Sequence, residues 1–148
     1  MNPVTDLNDV ITVLVAALLG AAIGAEREWR RHPGGLRSCA LVAAAAAVFA
    51  RIAVLNGGSN PAAAFGAIAT GVGFLGAGVI VHQGRRSVRG LSTAATFWVV
   101  AAIGTAVGVL NYGLAVALTL VVFFAHVALR SLSTWIGHRA PPEDEGPR

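Results

Sequence analysis

The sequence predicts an all-α integral membrane protein with five transmembrane helices, its N-terminus outside and its C-terminus cytoplasmic. Of 148 residues, 55% are hydrophobic and only 12% charged, about half the charged share of a soluble domain. With a mean hydropathy of +0.69, the chain has too few polar side chains to coat a soluble fold. The charges that exist sit in short clusters between long uncharged runs, and the Arg-rich clusters alternate with Arg-poor ones. The 18 Gly, together with abundant Ala, suit helices that approach closely in lipid, where small residues let backbones meet.

The first element lies between Asp9 and Glu26, sixteen uncharged residues reading VITVLVAALLGAAIGA. As a helix this run is roughly 24 Å long, short of the ~30 Å hydrocarbon core. Leu7 and the long-stemmed residues after Glu26 make up the difference. Asp6 or Asn8 is expected to cap the start, and the helix is expected to continue through Arg31. Ahead of it, MNPVTDLND has two acids and no basic residue. A cleavable signal peptide carries positive charge there, so this segment reads as retained.

Pro33-Gly34-Gly35 breaks the helix, and Leu36 begins a second segment reaching about Leu55, interrupted only by Arg51. Thirteen uncharged residues separate Arg51 from Arg37, about 20 Å of helix, which places Arg51 in the outer half. It snorkels outward or pairs with Asp6 or Asp9. Asn56-Gly57-Gly58-Ser59-Asn60-Pro61 is a turn signal. A third segment, Ala62 to Val81, holds Gly66, Gly71, Gly73, Gly76 and Gly78, a pattern common at helix contacts in membranes. His82 to Arg89 reads as a basic loop.

Gly90 to Leu129 contains no Asp, Glu, Lys or Arg over forty residues. One span needs about twenty, so two helices are expected, with Asn111-Tyr112-Gly113 as their turn. Residues 1–136 then form one transmembrane helical domain. The stretch 137–148, GHRAPPEDEGPR, reads as a disordered cytoplasmic tail.

Arg27, Arg30, Arg31 and Arg37 fall in the first connection, Arg85, Arg86 and Arg89 in the third, and Arg130, Arg139 and Arg148 after the fifth span. The positive-inside rule puts these on the cytoplasmic side. An internal repeat is a further reading: GGLRSCALV (34–42) aligns with RGLSTAATF (89–97) at an offset of 55. Chance in an Ala/Gly-rich chain is the competing one.

GAEREWRRHPGGLRS (24–38) packs two Glu and four Arg beside an apolar run. Glu26 and Arg30 stand four apart in the favourable order for a helical pair, and Arg27 and Arg31 repeat that spacing. Trp29 suits the interfacial belt. A self-paired rim that fixes topology explains the Arg. It explains Glu26 and Glu28 less well, because an unpaired carboxylate against the apolar run is costly. Glu26 is expected to pair with Arg27, Arg30, Arg37 or an Arg of 85–89. Topological rim and functional charged cluster (Glu26, Arg27, Glu28, Arg37, Arg85, Arg86, Arg89) both stay open.

These motifs resemble the membrane domain of the MgtC/SapB family. The likeness rests on GAEREWRRHPGGLRS and on GVGFLGAGVIVHQGRRSVRGLSTAATFWVVAAIGTAVG at 71–108, and covers about residues 10 to 130. It implies helix-start and packing roles for Gly35, Leu36 and Ser38, for Gly71, Gly73, Gly76 and Gly78, for Gly90, Leu91, Ser92 and Thr93, and for Trp98. Ser38 and Ser92 stand where Thr is common. Many relatives append a soluble regulatory domain, for which this sequence has only a short tail. The resemblance further implies a bacterial inner-membrane protein linked to growth in low magnesium, acid tolerance or survival in a host, some members acting on other membrane proteins.

Magnesium keeps its waters and wants oxygen ligands, usually carboxylates, and a path for it should leave acids or exposed carbonyls inside the spans. No Asp or Glu falls at mid-membrane here, and the only basic residue within a span is Arg51. Thr70, Thr93, Thr96, Thr105 and Thr119 are available, but such hydroxyls usually bond their own helix. His32, His82, His126 and His138 show no metal-ligand spacing, and the single Cys39 excludes an internal disulfide. No nucleophile constellation, phosphate loop or zinc pattern appears. No enzyme, cofactor, metal centre or nucleic-acid partner is expected. The expected partners are the bilayer, another membrane protein and further copies of the chain. The function expected is regulation through helix contacts; the alternative is a magnesium or other small-ion transporter, acting as an oligomer.

Overall fold

A computed structural model describes residues 6–55, 61–83 and 87–137. Five helices follow in order: α1 (Leu7–Trp29), α2 (Leu36–Leu55), α3 (Pro61–Val79), α4 (Leu91–Gly108) and α5 (Tyr112–Gly137). The first four are long and apolar enough to cross a membrane, and α5 contributes a shorter apolar stretch, Tyr112–His126. The basic loop expected at 82–89 is instead a small antiparallel ladder, β1 (Val81–Gln83) against β2 (Ser87–Arg89), with His82 opposite Val88. Gly137, expected as the first residue of the tail, instead ends α5; residues 138–148 and the turn residues 56–60, like Arg85 and Arg86, lie outside the described residues.

Successive helices reverse direction. Asp9 of α1 meets Arg51 of α2, so these two run antiparallel, and α4 runs alongside α2 with Gly104 on Ala43 and Gly108 on Ala47. Thr12 of α1 meets Tyr112 of α5 at one end, and Glu26 meets His126 at the other. Arg27, Arg30, Arg31, Arg37 and Arg89 therefore gather at one end of the bundle, and Arg51 lies at the opposite one.

The core is the α1–α2–α4 triad. Cys39, Ala43, Ala47 and Ala50 of α2 are fully buried, as are Val100, Ile103 and Val107 of α4. Glycine makes this possible where backbones touch: a Cβ on Gly104 would fall on the Ala43 carbonyl oxygen, and one on Gly20 would sit 2.5 Å from the Cys39 carbonyl oxygen. α3 sits at the periphery, with only Val72 and Gly76 buried. Four of its five glycines, Gly66, Gly71, Gly73 and Gly78, have nothing within 4 Å of a built Cβ, so the close packing expected of them is not made within the described chain.

Boundaries differ from the sequence expectation at four places. α1 stops at Trp29, not Arg31, because Arg31 turns left-handed (φ 57°) and closes the helix. Its N–H donates to the Glu28 carbonyl (2.9 Å), and the His32 N–H donates to the Arg27 carbonyl (3.0 Å), the two bonds of a Schellman closure. Leu110 (φ 62°) closes α4 the same way, which moves the turn to Val109–Asn111 and makes Tyr112 the first residue of α5. Asp6 occupies the N-cap position of α1, but its carboxylate makes no capping bond. α3 opens on Pro61, as the fixed φ and missing N–H of proline favour, and ends at Val79, two residues before the expected limit.

Candidate charged site at the basic end

The α1–α2 turn is organised by two side chains from the last turns of α1. Glu28 reaches across the break, and its Oε2 accepts the Leu36 N–H at 2.9 Å, satisfying one of the first, otherwise orphaned, amides of α2. Gly35 leaves room for this, since a Cβ there would lie 2.7 Å from that oxygen. Gly34 takes φ 73° to complete the reversal, and a Cβ on it would strike the Thr93 methyl.

Arg27 turns inward, 3% exposed. It does not pair with Glu26. Its Nη2 donates to the Pro33 carbonyl (2.7 Å) and Thr93 Oγ1 (2.8 Å), its Nη1 to Thr96 Oγ1 (2.8 Å), and its Nε to the Gly34 carbonyl (3.2 Å). Both hydroxyls are oriented from behind: Thr93 donates to the Pro33 carbonyl and Thr96 to the Ser92 carbonyl, four residues back. Cys39 Sγ shares the Gly34 carbonyl at 3.3 Å. One guanidinium thereby ties the end of α1, the turn and the start of α4 into one unit through neutral acceptors alone. The planar fork of Arg can serve four acceptors at once; a Lys ammonium cannot.

Glu26 faces the other way. Its Oε1 pairs with Arg30, one of the expected partners, and its Oε2 lies 3.3 Å from His126 Nδ1 on α5. These groups, with Arg27, His32 and Ser92, line a half-open cleft of about 300 Å³. At the far end of the bundle Arg51 Nε donates to Asp9 Oδ1 at 2.7 Å, which is one of the two pairings expected for it.

The remaining sequence candidates are dispersed. Arg37 and Arg89 are exposed and join no ion pair among the described residues; Arg85 and Arg86 lie outside those residues. Ser38 and Leu91 are exposed. Gly90 takes φ 94° at the start of α4, where a Cβ would strike the Val79 carbonyl. Gly76 lies against Ala94, while Gly71, Gly73 and Gly78 are open. Trp98 lines an apolar groove of about 300 Å³ with Phe65, Ile68 and Leu114; a second, of about 370 Å³, runs between α2 and α3 past Leu41, Phe49 and Leu75.

Sequence reasoning did not include Thr96, Pro33, Gly34 or His126 in the charged cluster. Thr93 and Thr96 stand three apart, hence on one helix face, which is the only local signal for a shared partner. Thr70, Thr105 and Thr119 each bond the carbonyl four residues back, as expected. Among the described residues no group of three His, Cys, Asp or Glu side chains could hold a metal ion.

Residues 13–135 match the family model described as the MgtC family. Among characterised sequences the chain is similar to Protein MgtC of Salmonella typhimurium strain LT2, 43% identical over 137 residues, 93% of this chain and 58% of that protein. An uncharacterized protein of Synechocystis sp. is 44% identical over 131 residues, 88% and 56% of the two chains. Protein MgtC of Brucella abortus strain 2308 is 42% identical over 118 residues, 79% and 49%. The chain thus spans about half the length of these relatives, 49 to 58%. No solved structure matches it.

Proposed function

The chain belongs to the MgtC family, and on that footing we propose that it is a multi-pass cytoplasmic-membrane regulator, acting through helix contacts with another membrane protein in adaptation to low magnesium or acid stress. The alternating helix directions and the gathering of Arg at one end support an orientation with that end cytoplasmic.

The observation that carries the regulator reading is the state of α3. It lies at the edge of the bundle with a groove on each flank, and a Cβ built on four of its glycines would meet no atom of the described chain beyond its own helix. In lipid, a helix face rich in Gly gains van der Waals contact from another helix that it cannot gain from mobile acyl chains. A magnesium path finds less support. No carboxylate lies between Asp9 and Glu26 on α1, and α2, α3 and α4 contain none. The hydroxyls of Thr70, Thr96, Thr105 and Thr119 donate to their own helices, and that of Thr93 donates to the Pro33 carbonyl.

The test is magnesium flux into proteoliposomes holding only this chain, beside a known magnesium channel. No flux above empty vesicles is expected while the control conducts. Flux that disappears on substituting Glu26 or Thr96 would replace the regulator with a transporter.

A further inference from the structure

We propose that the cleft at the basic end binds a phosphate-type oxyanion, gripped by Arg30 and the free edge of Arg27 at the start of α4. The inference stands apart from the choice between regulator and transporter.

Charge is the first observation. Arg27 is almost wholly buried, yet every acceptor it has is neutral: two carbonyls and two hydroxyls. The nearest acid, Glu26, is taken by Arg30 and His126. Two guanidinium groups thus share one carboxylate in the cleft, leaving a formal charge of +1 before either histidine is protonated. A buried cation without a counter-ion is expensive, and an anion in the cleft would supply what the fold does not.

Unfilled donors are the second. A guanidinium has five N–H groups. Four of those on Arg27 are used, and the fifth, on Nη1, has no acceptor among the described residues although Arg27 lines the cleft. Arg30 meets Glu26 through Nε, which leaves its Nη groups available. Ser92 brings a hydroxyl to the same wall from the first turn of α4. Ala94 N–H donates to the Gly90 carbonyl, and among the described residues no backbone acceptor meets the amides of Leu91, Ser92 and Thr93, so a positive helix end adds to the side chains.

Shape is the third. About 300 Å³ is at the lower limit for a small-molecule pocket and ample for one tetrahedral oxyanion with water. Arg is the side chain best matched to such a group, through paired N–H donors. His32 and His126 face the cleft beside it, and protonation of either would tighten the hold. Glu26 opposes it: bound to Arg30, it competes with the anion for the same guanidinium.

That competition gives a test with a sign. Binding is measured on the purified full chain in neutral detergent, by calorimetry with inorganic phosphate and by native mass spectrometry of retained lipid after reconstitution in phosphatidylglycerol or phosphatidylcholine nanodiscs. The expected result is saturable binding of phosphate or selective retention of phosphatidylglycerol, the two arms separating a free anion from a lipid headgroup. Arg30→Gln should weaken it at least tenfold. Glu26→Gln should strengthen it several-fold, because it frees Arg30; a merely structural Glu26 would not give that gain. Neither variant removes the Arg27 tie, and thermal unfolding verifies that both are folded. Absence of both phosphate binding and phosphatidylglycerol selectivity in folded wild-type protein would overturn the proposal. So would binding that Arg30→Gln leaves unchanged.

Discussion

α3 and α4 are made of similar material and treated in opposite ways. Both are apolar helices of 18 or 19 residues with repeated glycines and no acid. In α4, eleven residues are buried, and Gly104 and Gly108 are pressed onto the backbone of α2 at Ala43 and Ala47. In α3, two residues are buried and four glycines face open space. The same small-residue vocabulary closes a core in one helix and leaves a surface in the other. What separates them is the partner: α4 lies in the groove between α1 and α2, where Arg27 fixes its start, whereas α3 touches the bundle mainly along one side of α4.

That contrast can be attacked in order of expected effect. Gly104→Leu drives a side chain into the Ala43 carbonyl; overpacking of this kind costs about 3 kcal/mol, and little folded protein should survive a thermal-unfolding assay in detergent. Arg27→Met takes one donor each from the Pro33 and Gly34 carbonyls and leaves the Thr93 and Thr96 oxygens without the N–H they accept, and should lower stability by about 2 kcal/mol, with Arg27→Lys recovering only part of it. Glu28→Ala removes the cap on Leu36 and should cost about 1 kcal/mol, seen as a modestly lower midpoint of unfolding. Gly73→Leu should move stability by no more than about 0.5 kcal/mol while abolishing co-purification of a membrane partner. If Gly73→Leu unfolds the protein as Gly104→Leu does, α3 is a core helix after all and the contrast collapses.

Much of the frame was legible in the sequence. The four long spans, the Glu26–Arg30 pair and the Arg51–Asp9 pair follow from runs, spacings and the cost of unpaired charge, all of which act locally or at helix ends. Which apolar helix would be central was not legible, because α3 and α4 are both apolar, uncharged and rich in small residues, and burial depends on neighbours. Nor was the fate of Arg27. Its neighbour Glu26 was an expected partner, but its acceptors are a turn formed only when Pro33-Gly34-Gly35 folds back and two threonines over sixty residues away. The early end of α1 was hidden for a related reason: Arg31 takes a left-handed conformation that a side chain ordinarily disfavours, and only the gain from the two closing bonds and the turn beyond them compensates.

The Arg27 network also bears on the order in which the chain enters the membrane. When α1 and α2 have emerged as a hairpin, Pro33 and Gly34 are at hand but Thr93 and Thr96 are not yet synthesised. Arg27 at that stage has only the two turn carbonyls of its four acceptors within reach. α4 follows α3 in the chain, so its two hydroxyls can reach Arg27 only after α3 has been made. A chain truncated before α4 would therefore lack two of the four acceptors that Arg27 has in the folded bundle.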